Sequence, residues 1–257
     1  MTVGIVQEIG IASGIAAIAV MVFLVGARLR PATWQQTGEE AAGTPVLDLS
    51  KTFFTAVVAF MVVLCWQQYD AARRTTTSEA NALLDVYWIA HEMPDPEHHR
   101  IQELLHDYTV GIVETEWPVM NHERQLSQRT QKTFDTLRDA VESAHPTDPY
   151  ASNLRASALT GLAQAAKARQ DRAVATRQGI PPFLYALLYF SATMMLLSPV
   201  LSGVRVGRRS IMMITLLGVV VGAAIVVIHN LDHPFSGNYT VPKDAFESAV
   251  SRYANIS

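Results

Sequence analysis

The chain has 257 residues, with 20 Lys or Arg, 23 Asp or Glu and a formal net charge of -3. This balance gives no sign of nucleic-acid binding, which depends on clustered cations. Hydrophobic residues make up 49% of the chain, and the mean hydropathy is +0.16. These values are high for a soluble protein and low for a purely transmembrane one, so they indicate regions of both kinds. The one cysteine, Cys65, lies in an apolar run and excludes an intramolecular disulfide.

Four apolar runs have the character of membrane spans. They cover residues 9–27, 53–66, 182–204 and 211–228. A helix needs about 20 residues, at about 1.5 Å each, to cross roughly 30 Å of hydrocarbon. We predict a transmembrane helix for each run, with Ser50 as the cap of the second. Gly10 with Gly14, and Gly218 with Gly222, have the spacing that lets membrane helices approach closely.

Between the second and third runs lies a polar insert with a helical pattern. Its first apolar stripe consists of Ala80, Leu83, Leu84, Tyr87 and Trp88, and we expect the second span to continue into it. Asp95 with Pro96, and Asp148 with Pro149, each predict a helix start with an aspartate cap and a proline in the first helical position.

The predicted fold is all-α, with four transmembrane helices in two hairpins that flank a soluble helical bundle. The hairpins cover residues 1–69 and 180–229, the soluble domain covers 70–179, and a polar tail covers 230–257. The tail holds one short amphipathic stretch, between Ala245 and Tyr253. The two short links between spans contain six cations: Arg28, Arg30, Lys51, Arg205, Arg208 and Arg209. Because Lys and Arg in short loops tend to stay cytoplasmic, we expect the soluble domain on the extracytoplasmic side.

Charge within the soluble domain is divided between its two halves. Residues 79–123 contain ten acids and one base, whereas residues 124–177 contain nine bases and five acids. One interpretation is that the acidic helices pack against the basic ones in an antiparallel bundle. The other is that the acidic helices face a symmetry axis, where their carboxylates would concentrate cations at a pore mouth. The sequence leaves both interpretations open.

All eight histidines lie in this domain or just after the fourth run, and five of them are in the acidic half. Histidine changes its charge between about pH 5 and 8, so these side chains could make a pore mouth sensitive to pH. The alternative is that they are solvated surface residues. The candidates for the mouth are Glu79, Asp85, His91, His98, His99 and His106.

Motifs for catalysis are missing from the sequence. It has no His-Glu-x-x-His, Gly-x-Ser-x-Gly, Walker loop or dinucleotide fingerprint, so we predict that the protein is not an enzyme and holds no cofactor. The spacing of His229, Asp232 and His233 suits a metal only if the helix continues to His233, which Pro234 disfavours. We therefore predict no metal and keep these three residues as a weak candidate.

Several motifs resemble those of the bacterial bestrophin-like membrane proteins of unknown function. They are Glu79-Ala80-x-x-Leu83, Tyr108, Glu116-Trp117-Pro118 and Leu231-Asp232-x-Pro234-Phe235-Ser236-Gly237. The resemblance covers nearly the whole chain, and it implies a multi-pass protein of the bacterial inner membrane. The residues that carry it most specifically are Glu79, Glu116, Trp117, Pro118, Asp232, Pro234, Phe235 and Gly237.

Bestrophins proper are pentameric anion channels in which the second span lines an apolar neck. The resemblance therefore implies a homo-oligomer, a pentamer by analogy, that contacts membrane lipid and passes inorganic ions. The residues that would line the pore or form its hydrophobic gate are Phe53, Phe54, Val57, Phe60 and Leu64.

Two features of the sequence depart from the bestrophin pattern. Bestrophins keep their helical domain in the cytoplasm, opposite to the side that the charges predict here, and the acidic helices would repel anions. We therefore predict an oligomeric ion channel and leave the permeant ion open. The alternative is a non-conducting membrane sensor or assembly protein whose helical domain binds a partner.

Overall fold

The structure is a computed structural model that describes residues 2–29, 40–146, 148–202, 206–237 and 239–255. Within these ranges the chain forms α-helices and one π-helical turn, and no described residue lies in a β-strand. The helices are α1 (Thr2–Leu29), α2 (Glu40–His91), α3 (Glu97–Gly111), α4 (Trp117–Glu123), α5 (Gln128–Ser143), α6 (Pro149–Arg177), α7 (Pro182–Leu201), α8 (Arg208–Leu231) and α9 (Asp244–Tyr253). The predicted all-α fold class is confirmed.

The contacts within the chain divide it into two units. The first, which we call the membrane unit, comprises Met1–Trp66 and Gly179–Asp232. Four described helical stretches are long and apolar enough to cross a membrane, as predicted. In the membrane unit the core between the apolar part of α2, α7 and α8 includes Met61, Leu188 and Val221, none of which is exposed.

Helices α1 and α8 pack closely because α8 presents glycine at the contact. A Cβ added to Gly218 would lie 2.7 Å from the Cα of Ala16, and one added to Gly222 would lie 2.9 Å from the Cα of Ala12. The predicted packing role of the glycine pair in α8 is therefore confirmed. Gly10, by contrast, has no neighbouring atom within 4 Å of an added Cβ, and the same holds for Gly14.

Helix α2 is longer than the second apolar run. It begins at Glu40, so Ser50 lies inside the helix and the prediction that it caps the span was wrong. The helix continues to His91 without a break, which confirms that the second span runs into the polar insert. Trp88 is 52% exposed and does not share the buried stripe with Leu83 and Tyr87. Arg30 and Arg205, from the predicted basic links, lie outside the described residues.

The second unit, which we call the helical unit, comprises Gln67–Gln178 and His233–Ser257. Its α6 begins as predicted, because the Asp148 side chain accepts a hydrogen bond of 3.1 Å from the Ala151 amide and Pro149 is the first helical residue. The predicted start of α3 was wrong. Its N-cap is Pro96, without a side-chain cap, and the Asp95 carboxylate instead lies 3.5 Å from Nε2 of His99.

The tail of the chain belongs to the core of the helical unit. Its amphipathic stretch forms α9, as predicted, and buries Phe246, Ala249 and Tyr253. The Tyr253 ring stacks on that of Tyr87 at a centroid distance of 4.1 Å. This packing was not predicted, because the sequence shows the apolar face of α9 but not the surface that covers it.

Candidate functional site

In the membrane unit, the apolar part of α2 has one face in the core and another on the outside. Phe54 and Val57 are 4% and 6% exposed and pack in the core that α2 shares with α7 and α8. Phe53 and Phe60 are 42% and 55% exposed. Leu64 is half-buried at the edge of the same core.

The five residues expected to line a pore therefore do not share one face of the helix. Phe53 and Phe60 are seven residues apart and lie on the outer face, where another subunit or a pore could reach them. Phe54 and Val57 have their side chains inside the subunit, so a position in a pore does not fit them. The sequence could not make this distinction, because neighbouring phenylalanines have the same hydropathy.

The helical unit contains a buried centre of two arginines, two glutamates and a tyrosine. Arg172 donates from Nε to Oε2 of Glu79 at 2.9 Å, and its Nη2 lies 2.8 Å from Oε1 of Glu116. Arg169 forms two parallel bonds of 2.7 Å to Glu116. Tyr108 donates to Oε1 of Glu79 at 2.8 Å. We call these five residues the ion-pair centre.

The ion-pair centre is closed to solvent and balanced in charge. The side chains of Glu79, Glu116 and Arg172 have no exposed surface, and that of Arg169 is 4% exposed. Two positive and two negative groups face one another, which offsets much of the cost of removing them from water. Burial, followed by the nearby charge of Glu79, raises the pKa of Tyr108 well above its ordinary value, so the phenol stays protonated and continues to donate.

A π-helical turn, Ile112–Glu116, lies between α3 and α4 and contains Glu116. Turns of this kind interrupt the regular spacing of an α-helix and are frequent at functional sites. Here the turn directs Glu116 inward, where Oε2 also accepts a bond of 3.1 Å from the Ser127 amide at the start of α5. One carboxylate thus connects the end of α3 to α5 and α6.

The two arginines were not among the predicted site residues, although the sequence carries a signal for them. In α6 the buried positions Ala158, Leu162 and Ala165 continue at helical spacing into Arg169 and Arg172. Charged residues that extend an apolar stripe are typical of buried ion pairs, since long charged side chains are rarely buried unless they are paired. Their partners come from the acidic half, so at this centre acidic helices do pack against a basic one.

A protein-family model matches most of this chain. The matching family is described as a bestrophin-like domain, and the match runs over residues 13–246. The chain belongs to the bestrophin-like family. This membership confirms the resemblance that the motifs indicated, and ion conduction is the role for which the family is known.

Solved structures of bestrophin homologues share the fold of this family member. A bacterial bestrophin homologue from Klebsiella pneumoniae gives a TM-score of 0.69 at 10% identity, over 98% of each chain. A variant of a homologue from the same organism gives 0.66 at 11% identity, again over 98% of each chain. A further membrane protein variant gives 0.67 at 11% identity, over 95% of this chain and 98% of the other. No curated protein matches the sequence significantly.

The family-motif residues hold structural positions in both units. In the membrane unit, Asp232 accepts a short hydrogen bond from the Ile180 amide at the start of the third span. In the helical unit, Trp117 packs edge-on against Phe235 at 5.8 Å, and Pro118 is the second residue of α4. Pro234, the proline of the same motif, is buried and accepts a bond of 2.7 Å from the Val241 amide.

Glycine is required at one of these motif positions. Gly237 has a φ of 100°, a conformation that side chains rarely adopt, and its amide donates to Oδ1 of Asn121 at 3.3 Å. Next to it, the Ser236 hydroxyl donates to the carbonyl of Met120 at 3.2 Å. The motif therefore fastens the segment after the fourth span to α4.

The predicted mouth residues do not form one group. Glu79 belongs to the ion-pair centre and has no exposed surface, so a place at a solvent-facing mouth does not fit it. Asp85 is exposed on α2. His91, His98 and His99 lie together near the α2–α3 junction, with ring centroids 5.2 Å and 4.6 Å apart. His106 lies further along α3, where its Nδ1 is 3.9 Å from Asp107.

No metal centre is assembled among the described residues. No group of three His, Cys, Asp or Glu side chains in those ranges could hold a metal ion. The weak candidate formed by His229, Asp232 and His233 is not such a group, because α8 ends at Leu231 and the helical spacing does not continue to His233. The end of α8 at Leu231 agrees with the effect expected of Pro234 on the helix.

Proposed function

We propose that this protein is a homo-oligomeric ion channel whose pore is lined by α2. The observation that carries the proposal is the exposed face of α2 in the membrane unit. Phe53, Ala56, Phe60 and Val63 are all exposed and follow one another at intervals of three and four residues. This spacing is typical of a helix face that meets symmetry-related helices. Bestrophin homologues are known to form oligomeric channels, which supports the same arrangement here.

The gate of this channel is formed by Phe53 and Phe60. A ring of large apolar side chains around a narrow pore excludes water and thereby blocks ions until the ring widens. The side chains of Phe53 and Phe60 are about half exposed in the single subunit. Symmetry-related copies of these side chains can therefore meet around an axis without disturbing the core of each subunit. Phe54 and Val57 support the gate from behind, because they hold α2 against α7 and α8.

Beyond the gate, the same helix becomes polar. In the helical unit the exposed residues of α2 include Arg74, Thr77, Asn81 and Asp85, again at intervals of three and four. These side chains form the mouth, together with the exposed histidines His91 and His99. Because histidine is the usual side chain of pH sensors near neutral pH, the proposal includes ion flux that depends on pH. The subunit number is five by analogy with bestrophins.

The helical unit lies outside the cytoplasm in this proposal. Arg28 at the end of α1 and Arg208 and Arg209 at the start of α8 belong to short links, which retain cations on the cytoplasmic side. The chain crosses the membrane once more between Arg28 and residue 67, and this crossing places residues 67–178 on the other side. Bestrophins have the opposite orientation, so this part of the proposal rests on the charges alone.

Ion flux through the purified protein in liposomes tests the channel. Potassium and chloride gradients are compared at pH 7.5 and pH 5.5 for the wild type, Phe53→Ala and Phe60→Ala. Phe183→Ala and Phe190→Ala are matched controls, because these rings are 68% and 59% exposed on α7. The proposal expects faster flux in the α2 variants alone. Equal flux in all five proteins would contradict the gate, and no flux from folded oligomer would contradict the channel.

One observation favours the alternative function, a non-conducting sensor. The Trp88 side chain is 52% exposed and lies beside His91, at a ring-centroid distance of 6.4 Å. Tryptophan is enriched among the residues that contribute most of the binding energy in protein–protein interfaces. If the wild type conducts neither ion at either pH, this surface becomes the leading candidate for the function.

A further inference from the structure

A groove runs along the outer side of the α1–α8 pair in the membrane unit. Its volume is about 750 Å³, and it is lined mainly by small and aliphatic side chains of α1, from Ser13 to Arg28, with Thr215 and Val219 from α8. The 15 helical steps from Ser13 to Arg28 correspond to about 22 Å. One leaflet of the hydrocarbon core is only about 15 Å thick, so the groove is long enough to hold an acyl chain along its length.

The contact between the two helices fixes the register of the groove. Gly218 contacts Ala16 and Ala19, whereas Gly222 contacts Ala12 and Ile15. Four residues further along α8, the contact thus lies four residues earlier in α1. The helices are therefore antiparallel. Ten residues before Gly218 is Arg208, and about ten residues beyond Ala19 along α1 is Arg28. The register thus brings the end of α1 next to the start of α8.

Arg28 lines the groove, and the register places Arg208 and Arg209 at the same end of the helix pair. Arg28, Arg208 and Arg209 are all exposed, and among the described residues no carboxylate forms an ion pair with them. The two acidic side chains that the structure describes in the membrane unit have other partners, since Asp48 pairs with Lys51 and Asp232 accepts from the Ile180 amide. Among the side chains that the structure describes, the basic end of this otherwise apolar groove thus has no negative partner.

We propose that this groove is a binding site for an anionic phospholipid. One acyl chain lies along α1 between Ser13 and Leu24, and the phosphate group is held by Arg28, Arg208 and Arg209. A phosphate matches the positive charge of this end, and each arginine near a membrane surface strengthens the attraction to an anionic lipid about five-fold. An apolar helix from a second copy would fill the groove but leave the three cations unpaired.

Native mass spectrometry of the purified full-length oligomer measures this binding. Phosphatidylglycerol and phosphatidylcholine with identical acyl chains are added in turn, and the dissociation constant per subunit is obtained for each. The wild type is expected to bind phosphatidylglycerol at least about five-fold more tightly. Equal affinity for the two lipids would overturn the proposal.

Variants at the basic end test which residues hold the phosphate. The triple variant Arg28→Gln, Arg208→Gln and Arg209→Gln is expected to bind both lipids equally, whereas Arg28→Lys keeps the preference because it keeps the charge. Arg129→Gln is the control, since this exposed arginine lies in the helical unit. Circular dichroism of each variant verifies its helix content. A preference that persists in the folded triple variant would overturn the assignment.

A variant inside the groove tests the place of the acyl chain. Ala17→Phe fills the groove and is expected to weaken the binding of both lipids, whereas Ala186→Phe, on an exposed position of α7, leaves it unchanged. The mass of the oligomer is read in the same spectrum. If Ala17→Phe breaks the oligomer and the released subunits bind phosphatidylglycerol as tightly as before, the groove is a contact between subunits and the lipid proposal is wrong.

Discussion

Arg172 of α6 and Glu79 of α2 form a two-bond ion pair in which neither side chain has any exposed surface. The bonds measure 2.9 Å and 3.1 Å, and the two residues lie 93 positions apart in the sequence. Glu116 and Tyr108 complete the surroundings of the pair, so every charge has at least one partner of opposite sign. The folded helical unit depends on this centre, because an unpaired charge could not remain there.

Removal of the Arg172 charge is expected to destabilise the protein strongly. Arg172→Met leaves the Glu79 carboxylate buried without its cation, and breaking a buried pair in this way costs about 3–5 kcal/mol. Arg138→Met is the matched control, since it breaks the exposed pair with Glu142, and exposed ion pairs contribute little to stability. Thermal unfolding in detergent measures both. Similar melting temperatures for the two variants would contradict the structural role of the centre.

Because the phenol of Tyr108 stays protonated in the folded state, we predict that the stability of the protein falls at alkaline pH. The pKa of this residue is raised in the folded state, by burial first and by Glu79 second, whereas an unfolded tyrosine titrates near about pH 10. The contribution of Tyr108 to the free energy of unfolding is therefore fully present below about pH 10. It is lost as the pH rises further, because the unfolded state then releases a proton that the folded state keeps. Tyr108→Phe removes this titration, so its melting temperature should fall less steeply with pH.

The test of this prediction is a series of melting curves between about pH 9 and 11, across the ordinary tyrosine pKa. Tyr239→Phe serves as the control, because Tyr239 is 54% exposed in the helical unit. The wild type and Tyr239→Phe should lose stability in parallel as the pH rises. A slope for Tyr108→Phe as steep as theirs would mean that the buried phenol does not carry the linkage.

Because α1 and α8 are in close contact, we predict that a larger side chain destabilises the protein at Gly218 but not at Gly10. Gly218→Val places a side chain against the Ala16 backbone and is expected to cost about 1–3 kcal/mol through overpacking. Gly10→Val adds the same side chain where no neighbouring atom lies within 4 Å, and it should leave the melting temperature nearly unchanged. If Gly10→Val proves as destabilising as Gly218→Val, Gly10 meets a partner outside the subunit.

The orientation of the helical unit can be decided with a single cysteine. Cys65 is fully buried, so Gln125→Cys in a Cys65→Ala background provides one exposed thiol in the helical unit. A membrane-impermeant maleimide should label it in intact cells, because the proposal places this unit outside the cytoplasm. Labelling that requires lysis of the cells would reverse the orientation and bring it into agreement with bestrophins.

Much of the fold could be predicted because hydropathy, helix caps and prolines are local signals in the sequence. The four spans, the unbroken passage of α2 into the insert, and the start of α6 at Asp148 and Pro149 were all confirmed. The errors were also local. Pro96 is the N-cap of α3 and not its first helical residue, and Ser50 lies inside a helix that begins ten residues earlier.

The candidate site was harder to predict because it depends on which faces are covered. Phe53 and Phe54 are equally apolar, and only the packing of α7 and α8 separates an exposed ring from a buried one. Glu79 was assigned to a surface because its neighbours in the sequence are acidic, yet its partner Arg172 approaches from a distant part of the chain. Pairings of this kind need tertiary contacts that a single sequence does not reveal.

Chemical modification at position 60 determines whether this side chain lies in the pore. Phe60→Cys in a Cys65→Ala background is reconstituted in liposomes and treated with a positively charged methanethiosulfonate while ion flux is recorded. Phe190→Cys is the control, with a similarly exposed ring on α7. We predict that modification changes flux at position 60 and not at position 190. Complete labelling of Cys at position 60 with unchanged flux would contradict a pore lined by α2.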